Sequence, residues 1–296
     1  MIYKKLKSLS NQIKSNQIKS NQIKSNQIKL NQMTATLKNS IKKILLKLNL
    51  EIIKHSEVEE LKSQKLIYQM ANDDLQLLQI LPREYASQIL NFLSKSQSQL
   101  RQDIFVLSHL GFKKNGYFVE FGATNGIALS NTYLMETEFG WSGILAEPAK
   151  CWQSELQINR KCNIENKCVW SDSNSILTFN EVFNAELSTI DLFSNNDHHS
   201  ALRKKGECYE VNTISLNELL EKYNAPIQID YLSIDTEGSE FQILEKLDFS
   251  KYSFGVITCE HNYTPMREKI FDLLTKHGYL RKYEEFSKWD DWYVKQ

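Results

Sequence analysis

Tyr117-Phe-Val-Glu-Phe-Gly-Ala-Thr-Asn-Gly126 is an apolar run that ends in an acid, Glu120, and passes straight into a turn marked by Gly122 and Gly126. A buried parallel strand that meets the start of a helix in this way delivers a nucleotide-like ligand to the joint. Two further strand-like runs also end in carboxylates, Gly143-Ile-Leu-Ala-Glu147 and Ile229-Asp-Tyr-Leu-Ser-Ile-Asp235. Ligands of open α/β sheets sit outside the carboxyl ends of the strands, so Glu120, Glu147 and Asp235 are expected to face one cleft.

Outward from this stretch, β-rich runs alternate with helical patterns beyond about residue 99, which predicts an α/β fold with a doubly wound, mostly parallel sheet. Strands are expected over 117–121, 143–146, 166–170, 229–234, 254–259, 279–283 and 292–294. Two more β pieces, 176–180 and 208–211, flank a polar insertion over 192–205. Helices are expected around Ile104–Leu110, over 131–139 and 215–223, and from near Gly238 and Met266. The three prolines of this region, Pro148, Pro226 and Pro265, all fall between these elements.

The glycine turn narrows the ligand. A dinucleotide fold wants Gly-x-Gly-x-x-Gly, and its second glycine position is Thr124 here. A phosphate loop, Gly-x-x-x-x-Gly-Lys-Ser/Thr, is absent. The pattern acid-x-Gly-x-x-x-Gly suits S-adenosylmethionine, whose amino-acid end is a zwitterion with no phosphate to cradle. Its ribose diol needs a carboxylate after the second strand, and Glu147 stands 25 residues after Gly122. An ordinary strand–turn–helix joint and a capped turn are the plainer readings of the glycines and of Glu147. The three strand-end acids together favour the cofactor.

At this point the chain resembles the FkbM-type methyltransferases, from about Gln102 to Val294. The likeness rests on residues 117–126, Ser130-Asn-Thr, Gly140-Trp-Ser-Gly-Ile-Leu-Ala-Glu-Pro148, Ile234-Asp-Thr-Glu-Gly-Ser-Glu240 and Glu260 at a strand end. It implies a seven-stranded class I, Rossmann-like fold and methylation of a hydroxyl on a sugar, glycolipid or related metabolite. By this likeness Glu120, Gly122, Gly126 and Glu147 are cofactor residues, with Thr124 in the same turn, and Asp172 faces the adenine. Many relatives carry a second acid in the turn, where this chain has Phe121-Gly-Ala-Thr-Asn-Gly.

Methyl transfer from a sulfonium is an in-line displacement, so alignment is the enzyme's main contribution. A sugar hydroxyl also needs a general base or a metal. The candidates are Asp235-Thr-Glu237 and Glu260-His261-Asn262. Glu260 or His261 takes the proton directly in one mechanism. In the other, Asp235, Glu260 and a third ligand hold magnesium or manganese, similar to catechol-type methyltransferases. The direct base is the preferred expectation. His198-His199 reads as solvated. Trp289-Asp-Asp-Trp292 has the composition of sugar-binding clefts but equally that of an edge-strand packing pair.

The ends of the chain carry different information. Residues 1–50 hold eleven lysines and no acid, while the rest carries 25 basic against 36 acidic side chains. A basic arm on an acidic body is one route to an electrostatic tether to nucleic acid or to peripheral contact with an anionic membrane; a soluble AT-coded tail is the plainer reading. Ser-Asn-Gln-Ile-Lys repeats from Ser10 through Lys29. A five-residue period turns about 140° around a helix, so its isoleucines share no face. The expected organisation is a low-complexity, disordered arm over 1–35, a helical extension over 36–98 and the catalytic domain over 99–296. In the extension, Ile41, Ile44, Leu45 and Leu48 follow helical spacing, with a break at Asn72-Asp-Asp. Five cysteines form neither a disulfide framework nor a zinc motif. With no signal peptide and no spanning apolar run, a cytoplasmic location is expected. A methyltransferase-fold adaptor without activity is the rival reading, and nucleic-acid methylation ranks last.

Overall fold

The structure, a computed structural model, describes residues 55–195 and 200–296 together with Leu37, Ser40 and Lys43. The repeat, Ile41, Ile44, Leu45, Leu48 and His198-His199 lie outside the described residues. The chain divides into two compact units, Met1–Gln69 and Met70–Gln296. In the first, the described residues belong mainly to the N-terminal part of helix α1 (His55–Ile80), where Leu61, Leu66, Ile67 and Tyr68 are exposed.

Helix α1 runs unbroken through Asn72-Asp73-Asp74, against the expected break. Short acidic side chains break helices by bonding the local backbone. Here Asp74 instead takes Arg101 at 2.8 and 3.1 Å, and Asp73 takes Lys288 at 2.7 Å. Leu77 of α1, Leu81 just beyond it and Ile89 of helix α2 (Ala86–Phe92) share a buried cluster with Ile104, Phe105 and Leu107 of helix α3 (Gln102–His109) and with sheet residues Phe118 and Leu145. Residues 70–98 thus pack into the core of the sheet.

The strands are β1 (Tyr117–Phe121), β2 (Ser142–Ala146), β3 (Asn163–Glu165), β4 (Cys168–Trp170), β5 (Ile176–Glu181), β6 (Thr189–Ile190), β7 (Glu207–Ser215), β8 (Gln228–Ile234), β9 (Ser253–Glu260), β10 (Tyr279–Lys282) and β11 (Asp290–Lys295). Between them lie helices α4 (Tyr133–Phe139), α5 (Gln153–Asn159), α6 (Ser200–Arg203), α7 (Leu216–Lys222), α8 (Glu240–Glu245), α9 (Met266–Lys276) and α10 (Glu284–Ser287). A seven-stranded sheet has the order β10-β11-β9-β8-β1-β2-β3. β11 is antiparallel to both its neighbours and the other pairings are parallel, so the sheet is mixed. Along β1, Val119 and Phe121 enter one core cluster and Phe118 the other, the period-2 alternation of a strand buried on both faces.

One strand assignment is corrected. The third strand of the main sheet is Asn163–Glu165, not 166–170. The Lys167 N–H donates to Glu165 Oε1 at 3.1 Å, and the chain leaves the sheet there. Cys168–Trp170 is a strand, but it pairs parallel with β7 in a separate four-stranded sheet, β4-β7-β5-β6. This second sheet covers its own cluster, including Cys168, Phe179, Ile190, Phe193 and Val211.

Register positions the site. Phe121 pairs with Ala146 and with Ile234, and Ile234 pairs with Cys259. The next residues of the four strands, Gly122, Glu147, Asp235 and Glu260, therefore stand in a row at the carboxyl edge. Gly122 has φ +77°, and a Cβ there would lie 2.0 Å from the Asp235 carbonyl oxygen, so no side chain fits where β1 and β8 end.

Candidate active site

A cleft of about 440 Å³ opens at this edge, within the size range of small-molecule sites. Glu120, Gly122, Thr124, Glu147, Asp235, Glu237 and Glu260 all line it. Gly126, Asp172 and His261 are not among its lining residues.

Glu120 is buried and already engaged. Its carboxylate accepts from the Ser130 hydroxyl at 2.9 Å, the Asn131 N–H at 2.6 Å and the Thr132 hydroxyl. It pins the 130–132 segment ahead of α4 rather than standing open. Arg160, just beyond α5, completes this network. It bonds Glu136 at 2.8 Å, the Gly126 carbonyl and Ser130 hydroxyl at 3.0 Å each, and the Thr132 hydroxyl at 2.8 Å. Gly126, at φ +85°, serves this contact: a Cβ there would meet the Arg160 side chain at 2.7 Å. The pinned segment carries Asn131, which lines the cleft and whose buried Oδ1 has no hydrogen-bond partner.

Glu147 accepts the Thr124 N–H at 3.1 Å and the Ala149 N–H at 2.9 Å. Burial nevertheless pushes its carboxyl up to about 7. Thr124, at φ +48°, also donates its hydroxyl to the Ala128 carbonyl at 2.8 Å. These bonds hold the glycine turn against the end of β2. Asp172 is exposed and bonded to Ser171 and Ser175 in a turn.

Asp235, Glu237 and Glu260 come together, with one carboxylate oxygen of each within 4.8 Å of the others. Burial, then neighbouring Glu237 and Asp290, raises Asp235 well above the usual carboxylate range; burial, then Asp235 and Glu237, does the same to Glu260. Glu237, at φ +59° in the turn before α8, receives Arg203 Nη2 at 2.9 Å and Asn262 Nδ2 at 3.2 Å. Glu240 belongs to the turn itself, accepting from the Thr236 and Gly238 N–H groups at 3.1 and 2.9 Å.

His261 is buried beside the cleft. Its Nδ1 accepts the Tyr263 N–H at 3.0 Å, and its Nε2 lies 3.7 Å from Asp291. Burial lowers its pKa to about 4. The 289–292 tetrapeptide is split by β11. Trp289 lines the cleft, whereas Trp292 is fully buried and stacks on Phe105 at 4.5 Å. Asp290 takes Gln102 at 2.7 Å and Asp291 takes Arg267.

Sequence reasoning missed Arg160, Arg203 and Asn131. Arg160 stands in Asn-Arg-Lys-Cys and Arg203 in a lysine-rich stretch of the polar insertion, where nothing local marks either as buried. Asn131 was within reach, since it sits in the Ser130-Asn-Thr motif beside an expected helix start.

Among solved structures the chain is similar to a precorrin-6y C5,15-methyltransferase from Geobacter metallireducens, at 11% identity and a TM-score of 0.35, covering 61% of this chain and 72% of that one. No curated protein matches it. The family model described as the methyltransferase FkbM domain matches residues 120–283. That segment opens on Glu120, takes in the strand-end acids and fills more than half of the chain: this protein belongs to the FkbM methyltransferase domain family.

Proposed function

We propose that the chain is an S-adenosylmethionine-dependent O-methyltransferase whose acceptor is a hydroxyl of a sugar, glycolipid or related metabolite. The observation that carries this reading is the row of carboxylates after β2, β8 and β9 lining one cleft with the glycine turn after β1. S-adenosylmethionine, when bound, supplies an electrophilic methyl group. The residues present fit it. Glu147 retains acceptor lone pairs beyond its two backbone bonds, as a ribose diol requires. Asn131 Oδ1 offers an unused acceptor, and Gly122, which lets the ends of β1 and β8 approach closely, lines the cleft beside it. Glu120 acts by positioning the Asn131 segment.

At the acceptor end the groups are Asp235, Glu237 and Glu260. His261 serves this reading less well than Glu260, because its ring faces Asp291 and Tyr263 rather than the cleft. Trp289 and Tyr263 line the same cleft and offer an apolar face to a sugar ring.

Calorimetry with S-adenosylmethionine, followed by turnover on a panel of nucleotide sugars and glycolipids, tests the proposal. Submillimolar binding by the wild type is expected, with at least tenfold loss in a folded Glu147→Ala variant, since charge-assisted hydrogen bonds contribute about 1.5–3 kcal/mol each. Unchanged affinity in that variant would remove Glu147 from the site. Binding without transfer to any hydroxyl would favour the adaptor reading.

A further inference from the structure

The three clustered carboxylates have a geometry of their own. Asp235 follows the last residue of β8, Glu260 closes β9, and Glu237 stands in the strained turn between β8 and α8. Their mutual spacing, within 4.8 Å, matches the first shell of a single ion. Hard divalent cations hold oxygens at roughly 2.0–2.6 Å, so ligands on opposite sides of one ion stand about 4–5 Å apart.

A second observation points to a ligand. Glu260 is 7% exposed, and its Oε2 is buried with no hydrogen-bond partner. Buried carboxylate oxygens ordinarily accept from an N–H or O–H group. Arg203 and Asn262 both donate instead to Glu237 Oε2. The three carboxylates and the Arg203 guanidinium by themselves sum to a formal charge of −2, which favours a divalent cation between them. The donor set is all oxygen: Cys259 Sγ contacts the Glu260 carbonyl, and His261 is turned towards Asp291. Such a set suits magnesium or manganese rather than zinc.

We propose that Asp235, Glu237 and Glu260 form a divalent-cation site for magnesium or manganese. All three line the cleft, so the remaining coordination positions open towards it and are available to water or to neighbouring oxygens of the acceptor. An ion placed there holds an acceptor hydroxyl and lowers its pKa; that role, unlike the site itself, rests on the methyltransferase reading above. The expected direct base is then replaced by a metal-bound hydroxyl at the same carboxylates.

The test is titration of Mn²⁺ alone into the full chain, followed by electron paramagnetic resonance of free Mn²⁺ and by thermal melting. One ion per chain is expected, displaced by excess Mg²⁺, with a melting temperature that rises with Mn²⁺ concentration. Asp235→Asn and Glu260→Gln, checked for unchanged circular dichroism, should each weaken binding at least tenfold. No Mn²⁺ bound at millimolar concentration overturns the site on the wild-type chain alone, whatever the folding of the variants. Binding that survives both substitutions overturns it as well. S-adenosylmethionine calorimetry on the same samples separates the two readings. Mn²⁺ bound without that ligand leaves the metal site standing and removes the proposed function, and the reverse pattern removes the metal site alone.

Discussion

Glu147 holds two backbone N–H groups and is still pushed by burial up to about 7, because the cleft removes more hydration than those bonds return. The sign of the resulting pH dependence follows. A ligand that donates hydroxyls to this carboxylate favours its charged form, which dominates above pH 7. Affinity for S-adenosylmethionine is therefore expected to be full above pH 7 and to fall as the pH drops through it, by up to tenfold per unit. Calorimetry between pH 6 and 8.5 checks this, and Glu147→Gln should bind more weakly with a flat profile. A wild-type affinity constant over that range would count against the assignment. Thr124 shows the same interdependence, since its N–H is satisfied only while Glu147 stays in place.

Arg160 joins elements that are far apart in the chain. From the end of α5 it reaches Glu136 in α4, the Gly126 carbonyl of the glycine turn and the hydroxyls of Ser130 and Thr132. Its side chain is fully buried, with Glu120 3.8 Å away. Replacing it with methionine keeps the volume but leaves Glu120 and Glu136 without their cation. Breaking a buried pair in this way costs about 3–5 kcal/mol. A lower midpoint in urea with an unchanged slope is the expected result for Arg160→Met. Loss below about 1 kcal/mol would show that the turn holds itself. The third strand carries a related lesson. Residues 168–170 form a strand, as their β-rich composition suggests, but β propensity does not name a partner, and β7 takes them into the second sheet.

Charge is divided along the whole molecule, with eleven lysines and no acid in residues 1–50 and an acidic balance elsewhere. Among the described residues no helix is long and apolar enough to cross a membrane. The Ser-Asn-Gln-Ile-Lys repeat presents no continuous apolar face in a helix or a strand. Deleting residues 1–35 is therefore expected to leave the melting temperature within about 2 °C and turnover on a soluble acceptor unchanged. Differential scanning calorimetry checks the first, and a large drop would place the arm in the folded body. Loss of co-sedimentation with phosphatidylserine vesicles would support a membrane tether.

The row of strand ends was legible in advance for a simple reason. Parallel strands carry their ligand-facing residues immediately after an apolar run, so Glu147, Asp235 and Glu260 announce themselves by local pattern, and in-register pairing then sets them side by side. Order and spacing along the chain likewise sufficed for the main helices and for most of the seven-stranded sheet. What local pattern does not encode is which residue a side chain meets across the fold. Glu120 looks like an open ligand until the 130–132 segment and Arg160 close around it. His261 looks like a base until the fold buries it off the cleft, with Nδ1 taken by the Tyr263 N–H and Nε2 turned towards Asp291. Nothing local marks Arg160 and Arg203 as buried, because their carboxylate partners lie 24 and 34 residues away. A buried charge is tolerated only where packing brings its counter-ion, and that meeting is a property of the folded chain.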